Sequence, residues 1–298
     1  MLTDSGGYQV FSLGDRRTID EDGVSFRSHL DGSLQRLTPE SASDIQAQLG
    51  SDIAMVFDEC SSYPVSEAGA RDSMERTLLW ARRGRDRFLE TSEHPSRLEG
   101  QVTNAGQAQF GIVQGGSFKA LRDESARETV SIGFDGFAIG GLSVGEPVEV
   151  MYDVVSHTTP MLPETGVRYL MGTGMPDDLV ECVARGIDLF DCVLPTRNAR
   201  NGQLLTRTGP LSIKNARFAE DSRPPDPECE CYTCRRFSRA YLRYLFVAGE
   251  MSASILNTLH NLHFYLDTMR RIREAIMLGS FDTFRQRFHE TFSRRPRA

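Results

Sequence analysis

Short apolar segments that end in acidic residues are where this sequence first suggests chemistry. The apolar run at 187–194 contains Asp191 and is stopped by Pro195. Such a run is typical of a strand buried on both faces, where an ionised carboxylate is costly unless its position is used. Barrels of alternating strands and helices keep their catalytic groups at the C-terminal strand ends. Asp191 is therefore the candidate nucleophile; the alternative is an Asp that caps the next turn or pairs with Arg197 or Arg200.

The same arrangement of an apolar strand followed by a polar or glycine residue recurs along the chain. The strand ends predicted in this way carry Asp4, Asp58, Gln114, Gly140 with Gly141, and Met171 with Gly172. In a closed barrel these ends meet at one mouth, where one carboxylate can attack and a second can move the proton. Asp58 and Gln114 match the edge of a planar polar ligand. At any single position a strand-end Asp or Gln bound to a loop is the simpler explanation, but recurrence at successive strands favours a shared site.

Cysteine spacing indicates a metal site near the C-terminus. Cys229, Cys231 and Cys234 lie close together, and His260 follows after 25 residues. Three thiolates and one imidazole form the closed tetrahedral shell of structural Zn²⁺. The chain has 6 cysteines in 298 residues, too few for a disulfide scaffold of this size. We therefore expect one structural zinc ion per chain, with His263 as a rival ligand to His260.

The order of strands and helices determines the predicted fold class. Strand segments are predicted at 2–4, 52–60, 110–116, 136–142, 168–174, 187–194 and 211–213. Because helices separate most of them, we expect a parallel sheet with right-handed crossovers: an α/β fold of the (β/α)₈ TIM-type barrel class, one strand short. Two Asp-Gly turns within 16–38 predict added β-hairpins. We expect the barrel core at 1–215 and a zinc-binding subdomain, with C-terminal helices packing on the barrel, at 216–298.

Charge is distributed unevenly along the chain. The net charge is −7, yet residues 197–298 carry 18 Lys and Arg against 10 Asp and Glu. This basic third could bind phosphates, although solvated helix faces would give the same balance. No apolar run approaches the roughly 18 residues of a membrane span, and the N-terminus lacks a basic-then-apolar signal region. We expect a cytoplasmic protein with no membrane partner.

Seven motifs together resemble the bacterial type of the tRNA-guanine transglycosylase family, the queuine tRNA-ribosyltransferases. They are TDSGGYQV at 3–10, FDEC at 57–60, GIVQGG at 111–116, GGLSVGE at 140–146, YLMGTG at 169–174, DLFDCVLPTRNAR at 188–200 and CxCxxC with its His. The resemblance spans nearly the whole chain. It implies a (β/α)₈ barrel with a zinc subdomain inserted near the C-terminus. It also implies exchange of guanine at the anticodon wobble position of tRNA for a 7-deazaguanine base, in queuosine biosynthesis.

The family's functional residues can be carried over to the matching positions. Asp191 resembles the nucleophile that attacks the ribose anomeric carbon and holds the tRNA as a covalent ester, and Asp4 resembles the general acid/base. Arg197 and Arg200 lie just past the nucleophile, where flanking phosphates are expected.

Base recognition and metal binding are implied in the same way. Groups that resemble the base-reading residues are Asp58, Gln114 and the backbone of Gly141 and Leu142, with Tyr8 and Met171 on the two faces of the ring. The resemblance also favours His260 over His263 as the ligand beside Cys229, Cys231 and Cys234.

The expected partners follow from the resemblance. The implied substrates are tRNAs with a GUN anticodon (the Asp, Asn, His and Tyr acceptors), guanine and 7-aminomethyl-7-deazaguanine, and the implied assembly is a homodimer. Cys60 and Val144 resemble the bacterial pattern that accepts this small base, whereas eukaryotic relatives have glycine at the position of Val144. Family members carry a strand-helix unit before TDSGG, so we expect this sequence to lack the first barrel strand.

Two other hypotheses remain open at this point. A catalytically silent tRNA-binding subunit of the same fold would be expected to have lost a carboxylate, but Asp4 and Asp191 are both present. A zinc hydrolase barrel would need an open metal site with His and Asp ligands at strand ends, whereas the Cys229–His260 cluster is closed.

Overall fold

The computed structural model describes residues 1–12, 17–95 and 104–292. It contains two compact units, one formed by Met1–Gly172 with Cys182–Phe190 and the other by Thr173–Glu181 with Asp191–Ala298. The expected division at residue 215 stays a prediction. Among the described residues, no helix is both long enough and apolar enough to cross a membrane.

The helices and strands alternate through much of the chain. In chain order they are β1 (Leu2–Thr3), α1 (Gly7–Ser12), β2 (Arg17–Asp20), β3 (Gly23–Arg27), β4 (Leu34–Leu37), α2 (Pro39–Leu49), β5 (Ile53–Met55), α3 (Glu67–Glu93), β6 (Ala108–Val113), α4 (Lys119–Ile132), β7 (Gly136–Ile139), α5 (Val148–Thr158), β8 (Val167–Leu170), α6 (Pro176–Val183), β9 (Leu189–Phe190), α7 (Leu194–Arg200), β10 (Gln203–Thr206), β11 (Gly209–Ser212), α8 (Tyr232–Arg236), α9 (Arg239–Val247), α10 (Met251–Met277) and α11 (Phe281–Thr291).

A parallel sheet forms the centre of the first unit. Its six strands follow the order β1-β5-β6-β7-β8-β9, and every neighbouring pair is parallel. Strand β7 is buried along its whole length because helices cover the sheet, and its Ile139 is opposite Leu170 of β8. This sheet confirms the predicted α/β fold of the TIM-barrel type. Since all strands run in the same direction, the residues that follow them lie together along the edge formed by the C-terminal ends of the strands.

Local sequence signals fix the ends of the helices between these strands. Thr38 caps α2 through a reciprocal pair of hydrogen bonds with Ser41, and Pro39 occupies the first turn, where a missing N–H costs nothing. The same helix stops at Gly50, whose φ of 67° is left-handed and favours glycine. The chain then enters β5 within three residues, so the cap determines where the strand begins.

A small antiparallel sheet is added to the first unit. Strands β2, β3 and β4 pair in that order, and Asp20 is opposite Gly23 at the first turn. This confirms the hairpins predicted from the Asp-Gly turns. Phe57 stacks on Trp80 with ring centroids 4.7 Å apart in the apolar cluster beneath this sheet.

The second unit contains a β-hairpin and the C-terminal helices. Leu211 of β11 is opposite Leu204 of β10, and both strands pack on an apolar cluster with α9 and α10. The prediction that 211–213 forms a seventh strand of the parallel sheet is therefore wrong. The physical reason is the two-residue turn Arg207-Thr208, which joins 203–206 directly to 209–212 and makes them pair antiparallel.

Candidate active site and metal centre

Strands β5 and β6 bring a carboxyl and an amide together. Asp58 lies three residues past β5, and Gln114 directly follows β6. The Gln114 Nε2 donates to Asp58 Oδ2 at 2.7 Å, and the two residues are only 1% and 6% exposed. The Gln114 Oε1 is buried and has no hydrogen-bond partner among the described residues. The two side chains therefore meet at the edge of the sheet where both were predicted.

Burial makes Asp58 titrate near neutral pH. Desolvation is the largest cause and the charge of Asp4 is the second, and together they raise the pKa of Asp58 to about 7 against the opposing hydrogen bond from Gln114. Burial and the charge of Asp58 likewise raise the pKa of the Cys60 thiol to about 12. Asp4 follows β1, is exposed, and accepts a hydrogen bond from the N–H of Ser5 at 2.8 Å. Two of the predicted carboxylates thus interact electrostatically.

Glycines surround the Asp58–Gln114 pair on two sides. A Cβ on Gly141, whose φ is +66°, would lie 2.3 Å from Gln114 Oε1, and a Cβ on Gly140 would lie 2.7 Å from its Nε2. A Cβ on Gly7 would lie 2.4 Å from Asp58 Oδ1. Only glycine lets the backbone approach the two side chains this closely. The backbone groups predicted to help read a ligand are therefore held next to the polar pair.

Leu142, Met171 and Tyr8 are the remaining predicted residues of the first unit. Leu142 is buried, and Met171 is half-buried against the apolar core beside β8. Tyr8 lies in α1, but its side chain is outside the described residues.

Helix α4 supplies a buried cation that the sequence did not reveal. Arg122 is fully buried; its Nη1 donates to the carbonyl of Val113 at 2.7 Å and its Nε to that of Gly116 at 2.9 Å. Burial lowers the pKa of Arg122 to about 10. Ser125 Oγ from the same helix accepts the N–H of Gln114 at 3.0 Å. In the sequence this helix is a charged amphipathic segment, so no local signal marks which of its polar side chains point inward.

The carboxylate of Glu146 shapes the loop after β7. The Glu146 carboxylate accepts from the N–H of Ser143 at 2.5 Å and from that of Val144 at 3.0 Å. Ser143 has a φ of 59°, a left-handed conformation that these hydrogen bonds help to hold. The GGLSVGE motif contains Glu146, but its role became visible only through these contacts.

Asp191 and the two arginines lie in the second unit. Asp191 directly follows β9 in the sequence, and its side chain is exposed. Pro195 occupies the first turn of α7, and Arg197 and Arg200 are exposed in its last turn. The short helix therefore presents two cations within nine residues of the candidate nucleophile.

Four side chains form a cluster that could hold a metal ion. The ligand atoms of Cys229, Cys231, Cys234 and His260 all lie within 4.8 Å of one another. The three Sγ atoms are 3.8, 3.5 and 3.3 Å from His260 Nδ1. Tetrahedral Zn²⁺, with bonds of about 2.3 Å to sulfur and about 2.05 Å to nitrogen, places these atoms about 3.6 Å apart. The donor set and its spacing therefore fit zinc, and the cluster contains His260 and not His263.

The ring of His260 is oriented by a backbone contact. Its Nε2 is 2.8 Å from the carbonyl oxygen of Leu205, so Nε2 donates to this oxygen and Nδ1 faces the three thiols. Metal-binding histidines usually have such a partner for the second nitrogen. Hydrogen bonds among the three thiols hold the pKa of Cys231 far below its usual range and the pKa of Cys234 far above it, so the negative charge of the three thiols is concentrated on Cys231.

Comparisons with known proteins identify close relatives. The sequence model of the family described as "Queuine tRNA-ribosyltransferase" matches residues 1–294. The queuine tRNA-ribosyltransferase of Koribacter versatilis (strain Ellin345) is 54% identical over 279 residues, which cover 94% of this chain and 72% of the relative. Those of Aromatoleum aromaticum (54% over 288 residues; 97% and 75%) and Syntrophobacter fumaroxidans (53% over 289 residues; 97% and 74%) are similarly close.

Proposed function

This chain belongs to the queuine tRNA-ribosyltransferase family, and from that premise we propose that it is a pentosyltransferase that exchanges guanine at the anticodon wobble position of tRNA for a 7-deazaguanine base in queuosine biosynthesis. The observation that carries the proposal is the buried Asp58–Gln114 pair at the strand ends of a family barrel. A carboxyl beside an amide can bind the donor-rich edge of a guanine-like base. We place the reaction in the cytoplasm.

Base recognition is proposed for the strand ends of the first unit. An ionised Asp58 accepts the N1–H and the exocyclic N–H of guanine, and Gln114 Nε2 turns from Asp58 to the carbonyl O6. The backbone of Gly141 and Leu142 completes the edge, and Tyr8 and Met171 cover the faces of the ring. The missing side chain at Gly141 supports this arrangement, since a Cβ there would collide with the Gln114 amide. Recognition of this kind requires Asp58 to lose its proton when the base binds.

Asp191 is proposed as the nucleophile and Asp4 as the general acid/base. The Asp191 carboxylate attacks C1′ of the ribose, the C1′–N9 bond breaks, and the electron pair leaves with guanine, which takes a proton from Asp4. The incoming 7-deazaguanine base then gives its ring N–H proton to Asp4 and attacks C1′, which breaks the ester and restores Asp191. Two displacements at one carbon retain its configuration.

RNA binding is proposed for the second unit. A base must leave the anticodon stack to reach a barrel mouth, which is inexpensive at an unpaired wobble position. Arg197 and Arg200, exposed on α7, are proposed to contact the phosphates beside the flipped nucleotide. The proposed substrates are tRNAs with a GUN anticodon together with guanine and 7-aminomethyl-7-deazaguanine, and the proposed assembly is a homodimer.

The metal is proposed to be one structural Zn²⁺ per chain. Cys229, Cys231, Cys234 and His260 would fill all four positions of its shell, so it would supply folding energy and no open coordination site. The interatomic distances that match tetrahedral zinc support this identity.

The test is an adduct assay with Asp191→Asn. Wild-type protein incubated with tRNA should give an RNA–protein adduct that survives denaturing electrophoresis, and it should incorporate radiolabelled guanine. Asp191→Asn should do neither, because an amide cannot form the glycosyl ester. Asp188→Asn is the matched control: its carboxylate accepts the N–H of Arg168 at 2.9 Å, a bond that the amide oxygen preserves. An Asp191→Asn protein that still incorporates the label would contradict the proposed nucleophile.

A further inference from the structure

Helix α10 carries buried polar side chains on successive turns. Asn257, His260, Asn261 and Tyr265 are all 9% exposed or less. Each makes a hydrogen bond to a backbone carbonyl elsewhere in the second unit. Buried side chains of this kind are costly unless they are paired, so the helix is built to hold particular segments of backbone.

Tyr265 is connected through Gly174 to the segment that contains Asp191. Its hydroxyl donates to the carbonyl of Gly174 at 2.5 Å. The Cys192 thiol lies 3.8 Å from the same carbonyl oxygen, and a Cβ on Gly174 would come within 1.9 Å of its Sγ. Cys192 therefore packs flat against Gly174. Because Cys192 is the residue after Asp191, the Tyr265 hydroxyl reaches the segment of the proposed nucleophile through Gly174 and the Cys192 side chain.

Asn261 contacts the same segment at Pro195, four residues after Asp191. Its Nδ2 donates to the carbonyls of Pro195 and Gln203, both at 3.0 Å, and its Oδ1 accepts the N–H of Leu205 at 2.9 Å. The amide thus uses both donor hydrogens and its acceptor. The carbonyl oxygen of Leu205 in turn accepts a hydrogen bond from His260 Nε2. A chain of hydrogen bonds through Asn261 and Leu205 therefore connects the backbone at Pro195 to a residue of the metal cluster.

We propose that Tyr265 is a positioning residue for Asp191, that Asn261 assists it, and that the metal cluster keeps α10 in the register that both contacts require. The inference rests on the proposed role of Asp191 as nucleophile. A shift of the backbone between Asp191 and Pro195 would move the Asp191 carboxylate with it, and this is the segment that Tyr265 and Asn261 support. Rigid support of that backbone matters, since a misplacement of about 1 Å can cost about 100-fold in rate.

The substitution Tyr265→Phe tests this with a minimal change, because it removes one hydroxyl and keeps the ring. We expect kcat for guanine exchange, and the single-turnover rate of adduct formation, to fall about 10- to 100-fold. KM for tRNA should change less than about twofold, since Tyr265 is buried away from solvent. Metal content, measured by mass spectrometry of the native chain, should equal that of the wild type.

Thr268→Val is the matched control on the same helix. Thr268 is buried, and its hydroxyl donates to the carbonyl of Phe264 at 2.8 Å, so valine removes a hydroxyl-to-carbonyl bond that stays within α10. This variant should keep wild-type kcat. Asn261→Ser provides a second variant: it should lower kcat in the same direction with unchanged KM for tRNA.

A readout independent of activity is the alkylation of Cys192 by iodoacetamide. Loss of the Tyr265 hydroxyl should release the Cys192 thiol from Gly174 and raise its alkylation rate several-fold, while Thr268→Val leaves the rate unchanged. Chelation of the metal from wild-type protein should raise the same rate if the cluster keeps α10 in register.

The outcomes separate the inference from the proposed function. If Asp191→Asn still forms the adduct, the assignment of the nucleophile is wrong whatever Tyr265 does. If Asp191→Asn is inactive while Tyr265→Phe has wild-type kcat and wild-type Cys192 alkylation, the positioning role alone is overturned. Equal losses of kcat and of metal in Tyr265→Phe and Thr268→Val would show a structural contribution only and would also overturn it.

Discussion

Replacing Asp58 with asparagine should remove a pH dependence from the stability of this protein. The pKa of Asp58 rises from 3.8 to about 7 on folding, mainly because the group is buried. This difference corresponds to about 4 kcal/mol in favour of the protonated carboxyl in the folded state. Between these two pH values the folded protein binds more protons than the unfolded chain. The stabilisation is therefore fully present below pH 3.8 and is lost as the pH rises through about 7.

The measurement is urea unfolding of the wild type and of Asp58→Asn at pH 5 and pH 8. For one carboxyl with these two pKa values, the free energy of unfolding should fall by about 2–3 kcal/mol from pH 5 to pH 8. The amide introduced by the substitution does not titrate, so this part of the pH dependence should be absent from the variant. Subtracting the two pH dependences removes the contributions of all other groups and any pH-independent cost of the substitution.

Asp20→Asn is the control for this experiment. Asp20 is exposed, and its hydrogen bond with Arg36 lowers its pKa, so it stays ionised across the whole range from pH 5 to pH 8. The pH dependence of its variant should therefore match that of the wild type. Parallel curves for the wild type and Asp58→Asn would refute the argument that burial controls the Asp58 carboxyl.

Three other changes should have distinct effects. Asp4→Asn removes the charge that helps to raise the pKa of Asp58. The KM for guanine, which should rise as the solution is acidified, should therefore begin to rise at a lower pH than in the wild type. Guanine exchange should slow strongly, while tRNA binding measured by filter retention is largely kept. Cys231→Ser removes one of four clustered ligands and should lower metal content below one per chain and lower the melting temperature; a full metal complement would contradict the ligand set. Val144→Gly should make room for the cyclopentenediol of queuine, since a valine in that space costs on the order of 1–3 kcal/mol; comparable turnover of queuine and the aminomethyl base by the wild type would contradict this.

The parallel strands could be predicted because each is a short apolar run with a polar or glycine residue after it. Asp58 and Gln114 were recognised in this way, and the structure joins them by a hydrogen bond. The prediction that 211–213 joins the parallel sheet is wrong because its partner strand at 203–206 lacks a strong pattern in the sequence and because pairing direction depends on the turn. Local sequence patterns predict where strands end, but they do not predict which side chains distant in the sequence support those ends.

Arg122 and Tyr265 show this limit most clearly. Both are buried, and both make hydrogen bonds to backbone carbonyls distant in the sequence, 9 residues away for Arg122 and Val113 and 91 for Tyr265 and Gly174. The hydrophobic periodicity of a helix predicts whether a residue is buried or exposed. It does not predict which backbone carbonyl a buried Arg or Tyr side chain will contact. Such supporting contacts depend on tertiary packing, whereas the residues at strand ends are marked by local sequence.

The burial of Asp58 gives the proposed site a way to discriminate among bases. Near its pKa of about 7 the carboxyl is divided between two forms, and a ligand selects one of them. A base whose edge carries N–H donors binds the ionised form and expels the proton, whereas a base with an acceptor at that edge would bind the neutral form. Below about pH 7 the first class loses up to about tenfold in affinity per pH unit, and the second class does not. The ratio of the affinity for guanine to the affinity for an analogue that lacks these donors should therefore decrease as the pH falls. The reason is that guanine binding requires Asp58 to be deprotonated, which costs more free energy at lower pH.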